Sequence, residues 1–196
     1  MNPGGTPTVL PSAVGLLEGA IGYTLGSLLL VRRGHLHRPT PCTGWDLERL
    51  LDHMNDALLA LHEAAVDQQV TVGPVTVTPD LPVLQTATLR ARGCQLLGDW
   101  SGLREDDLVR VDDRSVPSSV VAVAGALEVV VHGWDVAEAC GQRRQLPPRL
   151  AAELLDLAPM LVSPADRGRR FAEPVEVGPD AGPGDRLLAF TGRDPR

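Results

Sequence analysis

Residues 126–141 read ALEVVVHGWDVAEACG, and they decide the fold because they place charge inside a helix that is otherwise apolar. Between Val120 and Val131 the only charged residue is Glu128. A helix that is apolar on nearly all sides is expected to lie in a protein core. Burying an unpaired carboxylate is costly, so the sequence requires Glu128 to be protonated, paired or bound to a cation.

His132 follows Glu128 by four residues, and this spacing places both side chains on one face of the helix. Their Cβ atoms are then roughly 5–6 Å apart and point the same way. The spacing leaves two interpretations open. The pair is either a simple side-chain hydrogen bond or half of a metal site, and a metal would remove the cost of burying the carboxylate.

A second long helix offers the third donor of such a site. Thr43 is the predicted N-cap, Asp46 completes a variant of the capping box, and the helix ends near Gln68. His53 lies at the edge of its apolar stripe. Together with Glu128 it would belong to a two-histidine, one-carboxylate set, which leaves coordination positions open and is typical of catalytic metal sites. The alternative for His53 is a half-buried structural histidine.

The remaining histidines and cysteines are weaker candidates. His35 and His37 are interpreted as solvated loop residues, and His62 as a surface residue. Cys140 is eight residues past His132, about 12 Å along the helix, which is too far to share its metal. Cys94 and Arg90 share a face of the third helix. Core packing is predicted for Cys94. Two roles are left open for Arg90: binding of an anionic substrate, or a surface role alone.

Composition excludes several classes of function. The chain of 196 residues suggests one domain, and its net charge of −7 argues against nucleic acid as a partner. Three cysteines without CxxC spacing, Cys42 among them, predict no disulfide framework and a cytoplasmic protein. The apolar run Gly19–Val31 is too short to span a bilayer, so no membrane association is expected.

Apolar periodicity outlines the rest of the architecture. Further helices are predicted at residues 12–33, 79–100, 117–140 (stopped by Gly141) and 147–157, with a helical turn at 184–190. Val70–Pro79 is a short hairpin or an extended loop between the second and third helices, and residues 101–117 are a polar loop. The sequence therefore predicts an all-α protein: a four-helix bundle over residues 1–162, and a tail over 163–196 that packs on it.

Three stretches together resemble a known family: RPTPCTGWDLERLLDHMND (38–56), ALEVVVHGWDVAEACGQ (126–142) and DRLLAFTGRDP (185–195). They are similar to the DinB-like metal-binding proteins related to the N-terminal domain of mycothiol-dependent maleylpyruvate isomerase. The resemblance implies a DinB-like four-helix bundle that holds a divalent metal through His53, Glu128 and His132. Zinc is the expected ion, although nickel, manganese and iron(II) accept the same donors.

The family resemblance also implies a chemistry. Several members use a low-molecular-weight thiol, such as mycothiol or bacillithiol, which binds the open metal position. We therefore expect a thiol-dependent transferase or isomerase that acts on a small electrophile. Isomerisation of maleylpyruvate itself is not expected, because the isomerase has a further C-terminal domain where this chain has a short tail. The alternatives are a metal-hydroxide hydrolase and a non-catalytic metal-bearing binding or stress protein. A homodimer is also left open.

Overall fold

The computed structural model describes residues 12–70, 82–168 and 170–196. Except for Val70, the segment interpreted as a hairpin or loop lies outside the described residues. The described helices are α1 (Ala13–Leu28), α2 (Leu47–Val66), α3 (Pro82–Trp100), α4 (Ser118–Ala139), α5 (Pro148–Leu161) and α6 (Pro183–Phe190), with 3₁₀ turns at Arg33–His35 and Pro164–Asp166. The described strands are β1 (Gln69–Val70), β2 (Leu108–Val111) and β3 (Arg114–Pro117).

The four long helices enclose one aliphatic core. Helix α1 packs on α4, α4 on α2, α2 on α3, and α3 on α1. Leucine, isoleucine and valine side chains from α1, α2 and α4, including Leu17, Ile21, Leu50 and Val130, are almost completely buried between them. Helix α5 covers α4, and α6 packs on α5. The prediction of a mostly helical protein is confirmed.

Helix α4 approaches α1 closely at Gly133. A Cβ added there would lie 2.2 Å from Thr24 Oγ1 on α1, and that hydroxyl donates a hydrogen bond of 2.8 Å to the carbonyl of Val129. By length and composition alone α4 could cross a membrane, but 72% of its most apolar 18-residue window is buried inside the protein. The core of a helical protein passes the same test, and α4 is the central helix here.

The all-α prediction is wrong in one respect, because a three-stranded sheet lies beside the helices. Strand β2 pairs antiparallel with β3 and parallel with β1. Residues 101–117, interpreted as a polar loop, therefore contain a hairpin that turns at Asp112, which has a φ of 52°. Its strands have only four residues each and carry charges on their exposed side. Val109 is completely buried and anchors the hairpin to the core, a role that the polar composition of the segment did not indicate.

Three helix ends also differ from prediction, and one of them is that of α5, which continues to Leu161 instead of ending at residue 157. Helix α1 ends at Leu28 instead of Arg33, and Leu30 and Val31 of the following turn are partly buried against the core. Helix α2 is capped by Asp46, whose carboxylate accepts a 3.0 Å hydrogen bond from the amide of Arg49, and not by Thr43. The chain before α2 folds back on itself, with Gly44 at a φ of 79° and the Thr40 amide bonded to the Trp45 carbonyl.

Candidate metal centre

The three predicted donors meet between α2 and α4. Glu128 Oε1 lies 2.6 Å from His53 Nε2 and 3.1 Å from His132 Nε2. One donor atom from each residue can be chosen so that all three lie within 4.8 Å of one another. The structure therefore joins His53 to the Glu128–His132 pair across 75 residues of sequence.

The centre opens to solvent on one side. The side chain of Glu128 is 31% exposed and that of His53 is 37% exposed, whereas His132 is only 9% exposed. The expectation of a buried Glu128 is thus correct only in part. Val120, Ala124 and Glu128 follow one another at four-residue spacing, and they form the least buried stripe of α4. A partly exposed carboxylate loses less hydration than a completely buried one, so Glu128 needs less stabilisation from nearby charges. A small molecule can also reach it.

Without a metal, the centre holds an ion pair. Burial alone would raise the pKa of Glu128, but the charge on His132 and hydrogen bonds from both imidazoles hold that pKa well below its usual value. Burial alone would lower the pKa of His132. The Glu128 charge and hydrogen bonds with Asp135, Cys42 and Glu128 outweigh burial and raise that pKa well above its usual value.

Asp135 supports His132 from behind. Its carboxylate Oδ2 lies 2.9 Å from His132 Nδ1, and the side chain is completely buried. An imidazole that donates a proton from Nδ1 has its lone pair on Nε2 when it is neutral. Asp135 therefore directs Nε2 of His132 towards Glu128, and such carboxylate–histidine pairs accompany most metal-binding histidines.

Arg193, from the segment after α6, closes the inner side of the centre. Its Nη2 donates to Asp135 Oδ2 at 2.9 Å and its Nε donates to Oδ1 at 3.3 Å. Burial would raise the pKa of Asp135, but hydrogen bonding with His132 and the charge of Arg193 lower it. Cys42 Sγ completes the cluster, 3.1 Å from Arg193 Nη2 and 3.3 Å from Asp135 Oδ2.

Cys42, His132 and Asp135 also have the donor types and the proximity of a metal site. In this cluster, however, the guanidinium of Arg193 already neutralises Asp135 through two hydrogen bonds. A metal ion would have to compete with that resident cation. The Nε2 side of His132, which faces Glu128, has no arginine of this kind bonded to it among the described residues and is the favoured side for a metal.

Trp45 contacts the centre and also lines an open pocket. Its ring contacts the His53 ring edge-on, with centroids 4.9 Å apart, and the guanidinium of Arg49 lies 5.0 Å from the Trp45 ring centroid. The pocket has a volume of ≈ 470 Å³, and its lining includes Trp45, Arg49, His37 and Thr40. Trp45 therefore belongs both to the lining of this pocket and to the surroundings of His53.

The other histidines lie outside the centre. His37 is 84% exposed, as predicted. His35 is half-buried, contrary to prediction, and its buried Nδ1 has no hydrogen-bond partner among the described residues. The expectation of a simple surface role for His62 is incomplete, because its side chain is 36% exposed and its Nδ1 lies 2.8 Å from Asp99 Oδ2.

Of the two other cysteines, Cys94 in α3 and Cys140 directly after α4, the first differs from prediction. Cys94 is exposed, contrary to the predicted core packing, because α3 turns Leu89, Leu96 and Trp100 inwards and leaves Cys94 off that face. Arg90 is exposed as well, in line with a surface role. Cys140 is buried, and burial raises the pKa of its thiol.

Sequence reasoning assigned no role to Asp135, Arg193 or Cys42. A signal existed for Asp135, which is a second acidic residue in the same apolar helix, one turn after His132. The motif GRDP in the tail contains Arg193, but nothing local indicates that this arginine enters the core. Its partner lies 58 residues earlier in the chain.

Comparisons with known proteins agree with this fold. No family model matches the chain. It is 30% identical, over 173 residues, to uncharacterized protein Rv0738 of Mycobacterium tuberculosis strain H37Rv, covering 85% of this chain and 89% of the relative. Uncharacterized protein MT0763 of strain CDC 1551 matches equally well. Among solved structures, the mycothiol-dependent maleylpyruvate isomerase superposes with a TM-score of 0.50 at 19% identity, over 73% of this chain and 66% of the isomerase, just under two thirds of its length.

Proposed function

Because this chain belongs to the same family as the two Mycobacterium tuberculosis proteins and shares a fold with the mycothiol-dependent isomerase, we propose that it is a metal-dependent enzyme that uses a low-molecular-weight thiol. The reaction would be a transfer or an isomerisation on a small electrophile. We further propose that the four long helices form a DinB-like bundle and that the protein acts in the cytoplasm, where such thiols are kept reduced.

The observation that carries the proposal is the position of Glu128 Oε1 between two imidazole Nε2 atoms at a solvent-accessible place. Two imidazoles and one carboxylate suit zinc and other divalent first-row metals, so the donor set fits such an ion. His53, Glu128 and His132 would hold it. The exposure of His53 and Glu128 supports a site with an open position, whereas structural zinc sites are closed.

A divalent ion at these donors would supply a Lewis-acid position that favours the thiolate form of a thiol. The chain's own residues do the rest. Asp135 keeps the His132 proton on Nδ1, and Arg193 keeps Asp135 ionised. Trp45 shields one edge of His53, and the pocket beyond it can seat the polar body of the thiol or the electrophile. Arg49, exposed at the pocket, offers a positive charge to an anionic group on either molecule.

The structure supports the alternatives less well. A metal-hydroxide hydrolase needs a general base near the metal to take a proton from water. Asp135, which contacts His132, is completely buried and committed to Arg193, so it cannot serve. A non-catalytic protein does not need the donors to be accessible, yet two of the three are about one-third exposed. A homodimer remains a prediction, which light scattering would test.

Metal content and thiol binding test the proposal together. Tag-free protein should contain about one divalent ion per chain by elemental analysis. After cobalt substitution, mycothiol, or failing that bacillithiol or glutathione, should produce a sulfur-to-metal charge-transfer band. Because a free thiol with a pKa of about 8.5 is mostly protonated at pH 7, calorimetry in two buffers should count one proton released on binding.

Matched histidine variants make the test specific. His53→Ala and His132→Ala should lose the metal. His62→Ala, on the same helix as His53 but paired with Asp99, should keep it. Retention of the metal in a Glu128→Gln, His132→Ala double variant would refute the assigned donors. If the metal binds but no thiol changes the cobalt spectrum at millimolar concentration, the thiol chemistry is wrong and the hydrolase becomes the better proposal.

A further inference from the structure

Arg193 is far more buried than an arginine in a tail is expected to be. Its side chain is 8% exposed, and it donates four hydrogen bonds, to Asp135, to Cys42 and to the Thr191 carbonyl. Buried arginines are rare and need complete pairing. Here the pairing goes to one particular carboxylate, the one that contacts His132.

The geometry forms a chain of three links. Arg193 donates hydrogen bonds to both carboxylate oxygens of Asp135, and Asp135 Oδ2 lies 2.9 Å from His132 Nδ1. His132 Nε2 faces Glu128 Oε1 at 3.1 Å. Two bonds from one guanidinium fix the plane of a carboxylate, which a single point charge does not. The orientation of the His132 ring is thus set by a residue 61 positions later in the sequence.

We infer that Arg193 is a positioning residue of the metal centre, so that the segment after α6 completes the site instead of merely covering the helices. This inference rests on the proposed metal-binding function. Arg193 does not touch the metal side of His132. It acts through Asp135, by holding the imidazole with its proton on Nδ1 and its Nε2 turned towards the other two donors.

A second arginine of the C-terminal tail (residues 163–196), Arg167 before α6, offers a matched control. Arg167 Nη1 donates to the carbonyls of Ala172 and Phe190, and its guanidinium lies 4.8 Å from the Phe190 ring centroid. It stabilises the tail without contacting Asp135 or His132. If Arg193 affected metal binding only through general stability, substitution of Arg167 should weaken metal binding to the same extent.

The experiment compares zinc affinity, measured by chelator competition, in Arg193→Lys, Arg193→Gln, Asp135→Asn and Arg167→Gln. Changes at partners of metal-binding histidines typically cost about 10–100-fold in affinity, and we expect a loss of that size in the first three. Arg167→Gln should lower the melting temperature but leave zinc affinity unchanged. Arg193→Lys keeps the charge and is expected to fold. If Arg193→Gln does not fold, the neutral double variant Asp135→Asn, Arg193→Gln replaces it, because no unpaired charge is then buried.

A second readout does not need the metal. In the metal-free protein, the Nδ1 proton of His132 should give a downfield proton resonance that exchanges slowly with water. This resonance should shift in Arg193→Lys, disappear in Asp135→Asn and stay unchanged in Arg167→Gln. Wild-type protein that binds no zinc would refute the proposed function, while the resonance would still decide the positioning role. Wild-type zinc affinity and an unshifted resonance in Arg193→Lys, or equal losses in Arg167→Gln, would overturn the inference.

Discussion

Replacing Gly133 with alanine should destabilise the protein, although Gly133 lies inside a helix where alanine is normally preferred. The new Cβ would lie 2.2 Å from Thr24 Oγ1, 3.0 Å from Thr24 Cβ and 3.1 Å from Thr24 Cα. Rotation of the Thr24 side chain relieves only the first contact. The other two require α1 and α4 to move apart.

Three effects set the magnitude. Glycine to alanine in a helix gains about 1 kcal/mol. Overpacking a core typically costs about 1–3 kcal/mol. Displacing the Thr24 hydroxyl from the Val129 carbonyl costs about 0.5–1.5 kcal/mol more. The net expectation is a free energy of unfolding lowered by about 2 kcal/mol, or a melting temperature lowered by roughly 4–8 °C in a domain of this size.

Urea unfolding of the chelator-treated protein, followed by circular dichroism, measures this difference without a metal contribution. Gly22→Ala is the matched control, because Gly22 is an exposed position inside α1 with no atom within 4 Å of an added Cβ. It should stabilise by about 0.5–1 kcal/mol. Thr24→Ala should partly rescue Gly133→Ala. Equal stability of the Gly133→Ala and Gly22→Ala variants would refute the close approach of α1 and α4.

Other expectations follow from charge and burial. In the metal-free protein, the stability contributed by His132 is present below about pH 6.5 and is lost as pH rises through its raised pKa. The stability contributed by Glu128 is present above about pH 4.5 and is lost as pH falls through its lowered pKa. Urea midpoints from pH 3 to 9 should show both limbs, and a His132→Gln variant should flatten the alkaline one. Zinc binding should strengthen as pH rises from 6 to 8, because the metal must displace the proton of the His132–Glu128 pair; a pH-independent zinc affinity would contradict the ion pair. A thiol-specific reagent should label exposed Cys94 quickly in the native protein and buried Cys140 only on unfolding, and equal labelling rates would contradict the assigned burial.

The parts of the centre that sequence reasoning found are those that helix periodicity encodes. Glu128 and His132 are four residues apart on one helix, and their proximity follows from helix geometry alone. His53 was found because it stands at the margin of an apolar stripe, and such margins meet where helices pack. The structure places the donor atoms of these three residues within 4.8 Å of one another, whereas metal ligation remains a proposal.

The parts that were missed depend on contacts between distant segments. Arg193 reaches Asp135 only after α5 and α6 have folded over α4, and no periodic pattern reports such a contact. The β2–β3 hairpin was missed because four-residue strands with exposed charges look like a loop. Cys94 was misplaced because a helix turns about 100° per residue, so an error of one position moves a side chain from core to solvent.

Helix α4 carries two of the three donors, yet it has little tendency to form a helix alone. Three consecutive β-branched valines (129–131) and glycines at 125 and 133 lower its intrinsic helicity, and it holds together through burial between its neighbours. Because the helical structure of α4 depends on contacts with the rest of the protein, we expect α4 to unfold together with the whole chain and not locally. Its amide hydrogens should therefore exchange with deuterium more slowly than those of α6. The lifetime of the site then equals the lifetime of the fold, and a bound ion would escape through the exposed His53 side and not through local melting of the helix that holds it.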